Sequence, residues 1–408
     1  MYYKVYYKLA NNFFRVYDGS TLETCKYRPE KVSVFEMMKK GGYTGTDESL
    51  IKYYSDIKVA SDELNASEEL KNSKNPFDYL GSCQNKDGST FYRTHNSNVL
   101  TILKMKSPKA WRKYEKIDAV EAKWFEKCHN GGIQYCQVGE HDSYGYDFNM
   151  YYPRLLGDKN FTYFQFPTKK GTEQIITNLD NIQYGLYRVK IQCDDANISK
   201  VFKFSKDDVY THYSLKFAFE LRKKHNFNID IELIQDDEPN AYIYNEADLI
   251  DSVSIFQRWF NCVYYLKKKY PKNILVKMIS SSIWGHLSES TTIYVNKEDI
   301  HKYDVDLSTD ADYQIIDIIM KQDGSTTYEL LDTKNPYKHP MRLKPFITSY
   351  GRNKTARVAL RMIDNVIRIH TDGICFNKPY TLKSEHFHPD DKHTGRLKFN
   401  SIKNYERL

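Results

Sequence analysis

The segment NVIRIHTDGICF, residues 365–376, constrains this 408-residue chain more than any other stretch. Two apolar runs flank Asp372-Gly373, and Asp-Gly between such runs is a strong signal for a tight hairpin. Side chains alternate along a strand, so Ile367 and Ile369 are expected on one face, with Arg368, His370 and Asp372 on the other. Asp372 then stands at the hairpin tip. Around this hairpin, strand-like and helical stretches follow one another in mixed order. Residues 144–156, 185–204 and 227–235 read as strands. Residues 104–127, with Trp111 and Trp124 as apolar anchors, and 209–224 read as helices. Residues 248–285 carry two helical patterns broken at KKKYPKN, and Arg352 to Met362 is helical again. This mixed order implies an α+β fold rather than a doubly wound sheet.

Composition narrows the class. Hydrophobic residues are 40% and charged residues 28%, which excludes wholesale disorder. No stretch approaches 18 uninterrupted apolar residues, so no membrane span is expected. The start, MYYKVYYKLANNFF, has neither the apolar core nor the small-residue cleavage site of a secretory signal. The seven cysteines are scattered and form no CxxC pair, which argues against a zinc module and a disulfide scaffold. An intracellular, reducing compartment follows as the expectation: cytoplasm, nucleus or a viral replication site. The net charge of +7 is a weak pointer to nucleic acid. The 35 tyrosines are read first as the coding bias of an A/T-rich genome, and second as bases' stacking partners. Sparse Gly and Pro leave no long flexible linker, and the polar stretch 41–78 reads as an exposed connection.

Three constellations carry chemistry. In YGYDFNMYYP, residues 144–153, a strand leads to Asp147, and Pro153 blocks its continuation. Asp147 is therefore expected at a strand end. In KMISSSIWG, residues 277–285, Lys277, Ser281 and Gly285 recur every four residues and share one helix face. A lysine there can hold a triphosphate as a point charge, and the small residues let a sugar or base approach. The third is the Asp372 hairpin. Two carboxylates from separate strands with a lysine helix between them in sequence are what two-metal nucleotidyl transfer needs. One Mg²⁺ activates the attacking hydroxyl and the other neutralises the triphosphate and the leaving pyrophosphate. Each constellation taken alone has a plainer reading: a turn, an amphipathic helix, a hairpin.

Together these residues resemble family B DNA polymerases, most closely the protein-primed branch of phages, linear plasmids and some DNA viruses. The family's motif A, DxxSLYP, is matched by Asp147-Phe148-Asn149-Met150-Tyr151-Tyr152-Pro153. Its motif B, KxxxNSxYG, is matched at Lys277, Ser281, Ser282, Trp284 and Gly285, and its motif C, DTDS, at His370-Thr371-Asp372-Gly373. CHNGG, residues 128–132, is similar to the YxGG element, and TGRLKFN, 394–400, to the stretch leading to the KxY element, here Lys403-Asn404-Tyr405. The departures fall at Met150, Tyr151, Ser281, Trp284, His370 and Gly373.

The resemblance implies a palm–fingers fold with an antiparallel palm sheet, helical fingers and a minimal thumb. It implies an N-terminal region over 1–120, palm over 121–248 and 291–394, fingers over 249–290, and a vestigial thumb over 395–408. It implies that Asp147, Asp372 and the carbonyl of Phe148 hold two Mg²⁺ ions, with Mn²⁺ as the substitute. Tyr152 would lie under the sugar of the incoming dNTP, Lys277 would bind its triphosphate, and Ser281, Trp284 and Gly285 would line the nascent base pair. Gly131 and Gly132 would lie near the template, and Lys398, Lys403 and Tyr405 near the primer end. The implied partners are primer-template DNA, dNTPs, and a priming protein or a subunit that supplies processivity or a thumb; no membrane is implied. Residues 1–146 contain no Asp-x-Glu pair, so no 3′–5′ proofreading is expected. The alternative reading is a catalytically weak or inactive polymerase-like DNA-binding or scaffold subunit.

Overall fold

The computed structural model describes residues 114–128, 130–161, 163–306, 311–320, 325–381 and 386–408. Before residue 114 it describes five short strands and the single positions Glu63, Leu103 and Ser107. The expectations for Trp111, and for 41–78 apart from Glu63, lie outside the described residues. The chain divides into two compact units. One comprises Met1–Arg112, Leu156–Lys159 and Ile255–His286; the other comprises Lys113–Leu155, Asn160–Ser254 and Leu287–Leu408.

In the first unit, β1 (Val5–Leu9), β2 (Asn12–Tyr17) and β3 (Thr21–Glu23) form an antiparallel meander, and β4 (Cys83–Gln84) pairs with β5 (Thr90–Phe91). In the second unit the chain passes through α1 (Ala119–Cys128), β6 (Gln134–Cys136), β7 (Gly139–Phe148) and α2 (Tyr151–Gly157, whose last two residues belong to the first unit). It continues through β8 (Gln165–Pro167), β9 (Thr172–Gln174), β10 (Gly185–Cys193), β11 (Val209–Thr211), α3 (His212–Lys224), β12 (Ile229–Leu233), β13 (Ala241–Ile243) and β14 (Leu249–Asp251). The helices α4 (Ser252–Lys269) and α5 (Ile274–His286) run almost wholly in the first unit. The second unit resumes with β15 (Thr292–Asn296), β16 (Val305–Asp306), β17 (Tyr313–Met320), β18 (Thr326–Asp332), α6 (Lys344–Ala359), β19 (Val366–His370) and β20 (Gly373–Phe376). It closes with β21 (Phe387–Pro389), β22 (Gly395–Phe399) and β23 (Tyr405–Arg407).

The fold is α+β, as the mixed order implied, and its sheets are almost wholly antiparallel. The sheet that matters here runs β23-β22-β7-β20-β19-β6, with β21 also on β7. Ile367, Cys375, Leu397 and Phe399 form the apolar cluster on one of its faces, with Cys136 and Tyr405 packed against it. Arg368, expected on a polar face, is buried: its Nε donates to the carbonyl of Ile402 at 2.8 Å, tying the C-terminal segment to the hairpin.

Several boundaries differ from the sequence reading for local reasons. Strand β7 ends at Phe148 instead of reaching 156. A turn at Asn149–Met150 feeds α2, where Pro153 sits in the first turn, a position that needs no intrahelical donor. Helix α1 begins at Ala119 because Asp118 caps it, its Oδ1 accepting from the Glu121 N–H at 2.9 Å. In the first unit, α5 begins where Asn273 Oδ1 accepts from the N–H groups of Leu275 and Val276 at 3.1 and 3.2 Å. Three lysines, Lys267 to Lys269, end α4, where cations favour the helix dipole. Among the described residues no helix is long and apolar enough to cross a membrane.

Helix α6 is buried on most of its circumference, including Thr348, Ser349, Arg352, Asn353 and Thr355. Its start is held by a buried ion pair. The guanidinium of Arg342 meets the Glu121 carboxylate of α1 at 2.7 and 2.8 Å, both side chains fully buried. Tyr244 donates to the same carboxylate at 2.7 Å, and Arg342 also reaches the carbonyl of Glu115 at 2.8 Å. Removing one partner strands the other charge. Arg342→Leu is expected to lower the unfolding free energy by about 3–5 kcal/mol, read as an earlier midpoint in a urea titration; an unchanged midpoint would contradict it.

Candidate two-carboxylate site

Asp147 reaches its place because β7 is sandwiched. On one edge it pairs with β20, Gly373 opposite Asp147 and Ile374 opposite Tyr146. On the other edge it pairs with β22 over Gly139–Ser143 and with β21 over Tyr146–Phe148. Aromatic packing fixes the strand end: Phe148 stacks on Tyr151 at 4.7 Å, and Tyr146 stacks on Phe387 at 5.5 Å. Gly145 lets the 390–394 segment lie directly against β7. A Cβ there would fall 2.6 Å from the Cβ of His393. The backbone bond from Asp390 N to Gly145 O (2.8 Å) and the bond from Gly145 N to the Thr394 hydroxyl Oγ1 (3.0 Å) use that closeness.

The β19–β20 hairpin delivers the second carboxylate. His370 pairs with Gly373, so the loop residues are Thr371 and Asp372, not the Asp-Gly pair. Thr371 carries the positive φ of +64°. A β-branched residue in that region costs about 1–2 kcal/mol. The surroundings hold it on three sides. Its N–H donates to Ile133 O at 2.9 Å, its carbonyl accepts from Thr355 Oγ1 at 3.0 Å, and its Cα and side chain press against Gly132. A Cβ on Gly132 would lie 2.8 Å from the Thr371 side chain, so only glycine fits.

The electrostatics follow from the pairing. Asp372 is half-buried, and loss of water with the nearby Asp147 charge pushes its carboxyl up to about 7. The enclosing protein and then the charge of Asp390 push Asp147 upward too, with the Phe148 N–H, His393 and Arg368 pulling against them. Two like charges held together in this way are relieved by a proton or by a cation. The third oxygen is on the same edge. Phe148 N–H donates to Asp372 O at 3.3 Å, so its carbonyl faces the hairpin, while the Asp372 N–H turns to His370 O at 2.9 Å. Two carboxylates and a carbonyl are hard oxygen donors suited to Mg²⁺ or Mn²⁺, with further positions left for water or substrate oxygens. Among the described residues no group of three or more His, Cys, Asp or Glu side chains makes a metal cluster, so this small set is what the residues offer.

The remaining candidates fall in three places. Tyr152 on α2 is half-buried near the pair; burial pushes its hydroxyl up to about 12, Arg352 pulling against and Asp372 adding. Gly132 touches the hairpin tip and Gly131 is exposed, 3.8 Å from Lys203 Nζ to a Cβ built there. Burial first, then the charges of Arg368, Lys403 and His393, hold the His370 imidazole below its usual range. That places Lys403 within electrostatic reach of the hairpin. Lys398 is exposed on β22, and the Tyr405 ring lies 4.9 Å from that of His393. Lys277, Ser281, Trp284 and Gly285 lie on α5 in the first unit. Lys277, Ser281 and Gly285 share its exposed face, as their spacing predicted. Burial lowers the pKa of Lys267 on α4, and the charge of Lys277 lowers it further.

The sequence marks Arg352 to Met362 as helical but hides where α6 starts, at Lys344, and its contacts with the site. Gly351 packs against Tyr151 and Tyr152, and its carbonyl accepts from Tyr151 Oη at 2.6 Å. Arg352 is buried and donates to the carbonyls of Asn130 and Gly131 (2.9 Å to the latter). Pro345 in the first turn marks where the helix starts and was the available signal.

With this geometry in hand, known proteins give a fold. No family model matches the chain, and no curated protein matches it at a significant level. Among solved structures, Phi29 DNA polymerase complexed with primer-template DNA and incoming nucleotide substrates matches with TM-score 0.51 and 15% identity. That match takes in 76% of this chain and 55% of that one. The same polymerase in a post-translocation binary complex with primer-template DNA matches with TM-score 0.50 and 15% identity, over 76% and 54%. The fold is polymerase-like. This chain spans little more than half the length of these neighbours, and at 15% identity the likeness extends to fold alone.

The raised pKa of Asp372 sets a stability signature for this polymerase-like fold. A carboxyl whose folded pKa lies above its unfolded value binds its proton more tightly in the folded state. Stability of the metal-free protein therefore falls as pH rises from the unfolded carboxylate range of about 4 through about 7. Asp372→Asn is expected to raise the melting temperature of metal-free protein clearly more at pH 8 than at pH 5. Equal effects at both pH values would contradict the raised carboxyl of Asp372.

Proposed function

We propose that this chain is a template-directed DNA polymerase that adds dNTPs to a primer 3′-OH, or to a hydroxyl of a priming protein, by two-metal nucleotidyl transfer. The observation that carries the reading is the pairing of Asp147 with Gly373 across β7 and β20, which sets two carboxylates beside each other at a strand end and a hairpin tip. Asp147, Asp372 and the Phe148 carbonyl would hold two Mg²⁺ ions, or Mn²⁺ in their place. Bound there, the ions would activate the attacking hydroxyl and neutralise charge on the triphosphate and pyrophosphate.

The chain's own residues supply position and charge. Tyr152, stiffened by its contact with Tyr151 and packed beside Gly351, forms the floor for the sugar of the incoming nucleotide. Lys277 carries the triphosphate, with Lys267 as a second cation within electrostatic reach of it, and Ser281, Trp284 and Gly285 line the base pair. Gly131 and Gly132 meet the template strand, and Lys398, Lys403 and Tyr405 meet the primer end. On this reading 121–248 and 291–394 are palm, 249–290 are fingers, 395–408 belong to the thumb, and the protein-primed branch of family B is the parent. Partners are primer-template DNA, dNTPs and a priming or processivity protein.

A primed-template extension assay in Mg²⁺ tests this. Wild-type protein is expected to incorporate dNTPs, and Asp147→Ala and Asp372→Ala are each expected to fall to background. A 3′-mismatched primer is expected to stay untrimmed, because residues 1–146 hold no Asp-x-Glu pair. No incorporation by wild type on any primed template would overturn the reading, and DNA binding retained without incorporation would favour a scaffold subunit instead.

A further inference from the structure

We propose that Arg352 is a positioning residue: by holding the Asn130–Gly132 turn it keeps Thr371 in its left-handed conformation and so aims Asp372 at Asp147. The inference rests on the reading of Asp147 and Asp372 as one metal-holding pair.

The geometry runs in an unbroken chain. Arg352 is buried in the middle of α6, and its hydrogen bonds go to the carbonyls of Asn130 and Gly131 and to Ser214 Oγ at 3.4 Å, not to a carboxylate. A buried guanidinium satisfied by carbonyls is costly unless those carbonyls are fixed in place. Here they belong to one turn, and Lys203 Nζ reaches the next carbonyl, Gly132 O, at 3.4 Å. That turn is the wall against which Thr371 rests, through Gly132 and through the bond from Thr371 N to Ile133 O. One helical turn along α6, Thr355 grips the Thr371 carbonyl directly. Residues three apart lie on one helix face, so α6 holds both sides of the hairpin tip. A β-branched residue at φ +64° persists only when its surroundings over-determine it. Released, the tip relaxes toward an extended φ, and the next residue along the chain, Asp372, turns away from Asp147.

The test is Mn²⁺ binding by the full chain, read by electron paramagnetic resonance without DNA or nucleotide. Asp147→Asn and Asp372→Asn are expected to abolish the tight site. If they bind as wild type does, the metal-pair reading itself fails. With that site in place, Arg352→Ala is expected to weaken Mn²⁺ binding by roughly 10-fold or more, the range seen when outer supports of metal ligands are removed. Arg352→Lys should recover part of the loss, and Arg357→Ala, which breaks the pair between α6 and Glu220 of α3, should change nothing. Two variants separate positioning from general stability. Gly132→Ala leaves Arg352 intact but crowds Thr371, and should weaken Mn²⁺ binding as Arg352→Ala does. Thr371→Gly on the Arg352→Ala background gives the tip a residue that adopts positive φ freely, and should restore binding. Should Arg352→Ala fail to fold, Gly132→Ala and Arg352→Lys carry the test with the same expectations. Wild-type Mn²⁺ affinity in folded Arg352→Ala or Gly132→Ala, or no restoration by Thr371→Gly, would overturn the inference.

Discussion

Two carboxylates of like charge stand side by side because β7 and β20 pair with Gly373 opposite Asp147. That single register fixes the rest of the site. A slip of one residue would turn Asp147 to the other face of the sheet. The pairing is unfavourable for the charges themselves, and both carboxyls are pushed upward by it or by their enclosure. The sheet must therefore hold them there against their repulsion, which the flanking strands β21 and β22 and the aromatic packing of Tyr146 and Phe148 do.

Helix α6 is the second support. It is buried almost all round, and its polar side chains each have work inside the fold. Asn353 donates to Tyr213 O at 2.8 Å, Ser349 accepts from the α3 cap residue Thr211 at 2.7 Å, and Thr355 reaches the hairpin tip. The Glu121–Arg342 pair fastens the chain just before it. A helix tied to α1, α3, the Asn130 turn and the hairpin is a rigid platform, and rigid platforms are what precise placement of metal ligands needs.

The sequence made the two carboxylates legible and left their supports hidden. Asp372 announced itself through Asp-Gly between apolar runs, and Asp147 through a strand stopped by Pro153. Both signals are local, though the loop residues are Thr371 and Asp372 and the strand ends at Phe148, ahead of Pro153. The helices α3, α4 and α5 were legible from apolar spacing for the same reason. The 151–157 helix was not, because aromatic residues fit a strand or a helix equally well until the turn at Met150, with φ +55°, is seen. Arg352 was not legible because its partners are backbone carbonyls 221 and 222 residues away, which leave no mark on spacing or composition. In the sequence Gly132 is only part of the YxGG-like element near the template, and the close approach of Thr371 to it is visible only in three dimensions.

The central claim is that Asp147 and Asp372 form one metal-holding pair in a polymerase-like fold. The most direct measurement is anomalous X-ray scattering from crystals of the full chain soaked in Mn²⁺. An anomalous peak is expected within coordination distance, roughly 2.0–2.6 Å, of both carboxylates. A structure in which Mn²⁺ binds elsewhere while these two side chains remain without it would contradict it.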